Sequence, residues 1–89
     1  MYKLIIKILD KSRDEKVDID VAYDKVARED GIGYTEKLKK AYDLIVKHYD
    51  TITKLRREKD EDTVKAFCEA LENGDMTEVA RIKEEVKAR

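Results

Sequence analysis

The chain has no proline, no tryptophan and only three glycines in 89 residues. Without proline, nothing in the sequence obliges a helix to kink or stop. The glycines, Gly31, Gly33 and Gly74, confine the strongest break signals to two places. One cysteine, Cys68, excludes an internal disulfide. Cys68 and the single histidine, His48, supply two of the four ligands a zinc site usually takes, so no metal is expected. Long apolar runs are missing too. The densest, Leu4 to Leu9, is interrupted by Lys7, which is too short for a membrane span. Lys7 and Asp10 also break up the apolar region a signal peptide would need, so a cytoplasmic location is expected. Nor does one sign of charge dominate. Twenty basic residues meet 21 acidic ones for a net charge of −1, which points neither to nucleic acid nor to a membrane surface.

Hydrophobic residues make up 42% of the chain and recur periodically, which argues against disorder. The length fits one domain, 1–89, with a modest core. The strongest pattern runs from 35 to 59, with no glycine. Leu38, Ile45 and Ile52 recur at one heptad position, Ala41, His48 and Leu55 follow three residues later, and Tyr42 and Tyr49 come next. That is a helical stripe. Glu36, Asp43 and Asp50 each precede a lysine by four residues (Lys40, Lys47, Lys54), the favourable order for helix pairs, at roughly 0.2–0.5 kcal/mol each. The spacing predicts one long helix over 35–59, about 37 Å at 1.5 Å per residue, around which the rest packs. Thr35 suits its N-cap, and Arg56, Arg57 and Lys59 suit its C-terminal dipole.

Before it, Tyr2, Leu4, Ile6 and Ile8 alternate with Lys3, Ile5, Lys7 and Leu9, and Val17, Ile19, Val21 and Tyr23 alternate with Asp18, Asp20 and Ala22. Two alternating runs across the polar stretch Asp10 to Lys16 read as a β-hairpin over 2–23, then a short helical turn ending near Asp30. A helical template also fits, through Leu4, Ile5, Ile8 and Leu9, and through Ile19, Ala22, Tyr23, Val26 and Ala27. After the long helix, Asp60 or Asp62 opens a helix striped by Val64, Phe67, Cys68 and Leu71, and Asn73-Gly74 stops it. Asp75 and Glu78 resemble a capping box for a last helix whose buried face is Met76, Val79, Ile82 and Val86. The short link makes 61–88 an antiparallel helical hairpin. The expected fold class is therefore α+β: an N-terminal antiparallel β-hairpin packed on a long helix, followed by a C-terminal helical hairpin. The alternative is an all-α bundle.

Reactive constellations are sparse. A Cys68–His48 pair across two helices is the one catalytic arrangement to weigh, but no third group orients it, so both read as packing residues. Asp18, Asp20 and Glu29 fall at positions 1, 3 and 12 of a calcium loop, with Asp24 between them. Tyr23 stands where glycine is needed and Ala22 supplies no ligand. Gly31-Ile32-Gly33 before a helix offers amides to a phosphate, but lacks the third glycine of a dinucleotide fingerprint. Lys54, Arg56, Arg57 and Lys59 form the one basic cluster, flanked by Glu58, Asp60, Glu61 and Asp62. Tyr2, Tyr23, Tyr34, Tyr42 and Tyr49 are the residues most suited to an interface. No catalytic, cofactor-binding or metal residue is assigned.

The missing proline and tryptophan, the heptad charge pairing, and surface helical positions filled mostly with Glu, Lys and Arg give the whole chain a general style. In that style it resembles de novo designed small α+β proteins. The resemblance implies a scaffold whose sequence encodes a fold and no natural biochemical activity, with no cofactor and no required partner. The alternative reading is a small natural interaction module, of the kind phage and prokaryotic accessory proteins provide, binding a protein partner or a second copy through a strand edge or a tyrosine-rich face.

Overall fold

A computed structural model describes residues 1–29 and 31–89. Every regular element among them is an α-helix: α1 (Tyr2–Glu15), α2 (Ile19–Glu29), α3 (Glu36–Lys47), α4 (Tyr49–Arg57), α5 (Glu61–Asn73) and α6 (Met76–Ala88). The α+β expectation is overturned. The β-hairpin of 2–23 is the helix pair α1–α2, and the all-helical alternative is the one found. The helical turn expected to end near Asp30 belongs to α2 as far as Glu29, and Asp30 lies outside the described residues.

Burial explains the correction. Alternation would have hidden Tyr2, Leu4, Ile6 and Ile8 together. The chain instead buries Ile5, Ile8 and Leu9, spaced i, i+3, i+4, and in α2 it buries Ala22, Val26 and Ala27. The polar stretch Asp10 to Lys16 is no connector. It forms the last turns of α1, tied by Arg13–Asp10 and Lys11–Glu15 ion pairs at helical spacing. α1 ends at Glu15; its C-cap, Lys16, takes a left-handed conformation, and the Val17 N–H closes back on the Ser12 carbonyl at 3.1 Å.

The predicted helix over 35–59 is two helices. Its stripe is correctly placed: Leu38, Ala41, Ile45, Ile52 and Leu55 are all fully buried. Its continuity is not, because His48 at φ −124°, ψ 27° leaves the helical region and α4 restarts at Tyr49. Flanking residues favour helix and no glycine or proline intervenes, so local propensity does not make this break. The break accompanies a tertiary contact, the imidazole of His48 edge-on to Phe67 with ring centroids 5.5 Å apart. Glu36–Lys40, Asp43–Lys47 and Asp50–Lys54 do not form ion pairs among the described residues. Lys54 reaches the Val86 carbonyl instead, at 3.0 Å.

Contacts divide the chain into two compact units, Met1–Val46 and Lys47–Arg89. In the first, α1 packs on α2. In the second, α4, α5 and α6 pack on one another around Phe67, the largest fully buried side chain, with Ile52, Leu55, Val64, Cys68 and Ile82. The predicted N-caps hold there, but the Asp75–Glu78 capping box is half formed, since the Glu78 carboxylate pairs with Arg81 and the Asp75 N–H bonds the Ala70 carbonyl. The side chains of Asp60 and Asp75 accept hydrogen bonds from the N–H groups of Thr63 and Glu78, and Gly74 terminates α5 at φ 71°. Thr35 likewise accepts from the Leu38 N–H at 3.2 Å at the start of α3. Met76, expected inside, is 59% exposed, because it occupies the first position of α6, where the helix has not yet turned toward its neighbours.

Candidate functional site

Three of the five tyrosines converge in the first unit. Tyr23 on α2 stacks on Tyr42 of α3, with centroids 4.6 Å apart at 25°, and meets Tyr34 edge-on at 5.8 Å and 78°. Both are favoured aromatic geometries. The Tyr34 hydroxyl donates to the Asp24 carboxylate. The Arg28 Nε donates to the Tyr34 oxygen at 3.2 Å and pairs with Asp24 at 3.2 Å. The ring of Tyr34 thus pins the segment after Gly33 onto α2 while remaining 48% exposed. Burial pushes the Tyr23 phenol above its ordinary pKa, with the Tyr34 and Asp43 charges adding to it. Tyr49, 44% exposed, lies in the second unit.

The two residues with catalytic potential both lie in the second unit, His48 at the N-cap of α4 and Cys68 within α5, and both serve packing. Cys68 is fully buried in α5 and its thiol is pushed up to about 12, mainly by desolvation, with Glu61 and Glu69 adding to the rise. A thiol so placed carries almost no thiolate at neutral pH and is a poor nucleophile. His48 is half-buried. Burial, then the Lys83 and Lys47 charges, holds its pKa below the ordinary histidine value, which favours the neutral ring. Its Nδ1 has no hydrogen-bond partner among the described residues.

Asp20 and Asp24 lie along α2 with Glu29 at its end, so they follow a helix rather than a calcium-binding loop. Asp24 pairs with Arg28, and Glu29 with Lys11 and Lys25. No group of three or more histidine, cysteine or carboxylate side chains among the described residues is placed to hold a metal ion. Gly31 and Gly33 both have positive φ, and the Gly33 N–H is already bonded to the Ala27 carbonyl at 2.9 Å. The basic cluster is partly engaged, since Lys54 holds the end of α6. No described helix is long and apolar enough to cross a membrane.

Sequence reasoning missed the polar assemblies that join separate elements: Tyr34 with Asp24 and Arg28, Lys25 with Glu15 and Lys11 with Glu29 between α1 and α2, and one at the end of α6. Arg89 reaches Glu58 and Asp60 at 3.0 Å each and Glu85 at 2.9 Å, so the end of α6 is tied to the α4–α5 turn. Of this last assembly, only the Glu85–Arg89 spacing was visible in the sequence, as an i,i+4 pair. With this geometry in hand, no family model, curated protein or solved structure matches the chain.

Proposed function

We propose that the chain is a structural scaffold of designed origin, whose sequence encodes a helical fold and no reaction. The observation that carries this reading is the use made of its two chemically competent residues. Cys68 is sealed in α5 with its thiol pushed up to about 12, and His48 is spent on an edge-on contact with Phe67. A site that used either would expose it in a cleft and set its pKa near neutrality. The test is thiol labelling of the folded protein with a small electrophile at neutral pH. Labelling of Cys68 only after unfolding supports the scaffold reading. Rapid stoichiometric labelling of the native chain overturns it. A natural lineage of sequences carrying the same helix pattern overturns the designed origin.

A second reading keeps half of the interaction-module alternative. Its strand-edge half falls, since the described residues contain no strand. Its tyrosine half is supported by Tyr34, 48% exposed over Tyr23. Under this reading Tyr34→Ala weakens capture of a protein partner without unfolding either unit.

A further inference from the structure

We propose that Asn73-Gly74 is a self-modifying site, at which the chain slowly converts an amide to a carboxylate without enzyme or cofactor, and that the C-cap of α5 gates the reaction. Asn73 is the only asparagine in the chain, there is no glutamine, and the residue after it is glycine. Both residues are exposed. The chemistry needs one nucleophile, the Gly74 backbone nitrogen, and one electrophile, the Asn73 side-chain carbon Cγ. The nitrogen attacks Cγ, an N–Cγ bond forms, the Cγ–Nδ2 bond breaks, and ammonia leaves with the amide proton. Water then opens the five-membered imide at either carbonyl, giving aspartate or isoaspartate. Glycine brings no Cβ to crowd this attack, and the space a Cβ would fill at Gly74 is open, with no atom within 4 Å.

What restrains the reaction is the helix end. The Gly74 N–H is directed at the Ala70 and Leu71 carbonyls, 3.3 Å from the latter, and Gly74 is held at φ 71°, ψ 21°. The next amide, of Asp75, bonds the Ala70 carbonyl at 2.9 Å. These bonds hold the proton that the Gly74 nitrogen must shed before it can attack, and fix the backbone of the turn in which the ring has to close. The cap therefore opens before the imide closes, and the conversion rate reads the fraying of this one turn. The product undoes the cap that gated it. It places a negative charge at the negative end of the α5 dipole, beside Glu72 and Asp75, and the isoaspartyl form adds a backbone carbon to the turn.

The experiment is intact-mass and peptide-map analysis of the whole chain held at mildly alkaline pH, with and without unfolding concentrations of urea. Because no other amide side chain exists, every gain in mass from amide-to-acid exchange reports Asn73. Isomerisation at the Asp-Gly pair 30–31 changes no mass. We expect conversion at Asn73 in both samples, slower in the folded one by at least roughly fivefold, the ratio that closing one backbone hydrogen bond gives. Asn73→Ala removes the amide, abolishes the mass gain and leaves the helical content unchanged. Asn73→Asp, which carries the product's charge, melts below the parent. Equal rates in folded and unfolded chains overturn the gating, and absence of conversion in urea overturns the site.

Discussion

His48 is the residue whose protonation the fold opposes. Its pKa in the folded chain lies below the ordinary value of 6.5, first through burial and then through Lys83 and Lys47. The unfolded chain therefore binds a proton more readily. Stability from this group is fully present well above pH 6.5, declines as the pH falls through 6.5 toward the depressed folded value, and levels off below it. Urea midpoints measured between pH 8 and pH 5 fall for the parent and stay flatter for His48→Gln. Parallel curves place the loss elsewhere. The carboxylates held low by hydrogen bonds, Asp60 through Thr63 and Glu78 through Arg81, lose their contribution only at more acid pH, so the two windows separate. Phe67 sets the larger magnitude. It is fully buried and packs against His48, and Phe67→Ala costs about 3–5 kcal/mol in a urea titration, a large share of the stability of a small protein. At this scale the sequence was readable wherever a residue's periodicity decided its fate. Leu38, Ile45, Val64, Phe67 and Ile82 were all expected inside and are inside. What no spacing revealed was partnership, such as the hold of Tyr34 on Asp24 and Arg28 or of Arg89 on Glu58 and Asp60, because these partners are brought together only by the turn of the chain between helices.

Elements were legible by their ends more than by their middles. Asp60, Asp75, Thr35 and Gly74 stand at the helix boundaries their chemistry implies. Asp75→Ala removes an acceptor from the Glu78 N–H and costs about 1 kcal/mol. Gly74→Ala meets no steric obstacle but must hold an L side chain in the left-handed region, at roughly 1–2 kcal/mol. Thermal or urea unfolding of the two variants checks both, and a neutral Gly74→Ala would show that the cap relaxes. The interior of α1 was misread for a physical reason. A run as apolar as Tyr2 to Leu9 satisfies period 2 and period 3.6 together, and only the partner it packs on decides between them. α2 supplies a helical face, so Ile5, Ile8 and Leu9 turn inward together. The break at His48 was invisible for the converse reason: residues 36–57 are locally consistent with one helix, and packing on Phe67 accompanies the interruption. The end of α6 carries its own prediction. Lys54 bonds the Val86 carbonyl and Arg89 bridges Glu58, Asp60 and Glu85, so Arg89→Ala speeds amide exchange in the last turn of α6 and leaves α5 protected.

For the whole molecule the question is whether charge or apolar burial holds it. Nearly half the residues are charged, yet the net charge is −1 and, among the described residues, every fully buried side chain is apolar. The ion pairs lie at the surface: Arg28–Asp24 and Arg13–Asp14 are largely exposed on both sides, and even Lys11 and Arg89 keep 20% and 28% of their side chains in water. Pairs of this kind contribute about 0–1 kcal/mol each and are screened by salt. With almost no net charge, there is also little self-repulsion for salt to relieve. Raising sodium chloride from about 0.1 M to about 1 M shortens the screening length from roughly 10 Å to roughly 3 Å. Both units, each with its own set of buried leucine, isoleucine and valine side chains, then stay folded, and the urea midpoint moves little. The measurement is a pair of urea titrations followed by helical circular dichroism at the two salt concentrations. A chain that loses its helices at high salt would place the fold's stability in its surface charges, and the apolar stripes through Ile5, Ile45 and Phe67 would no longer account for it. A midpoint that holds assigns the charges another task, keeping a mixed-sign surface in water.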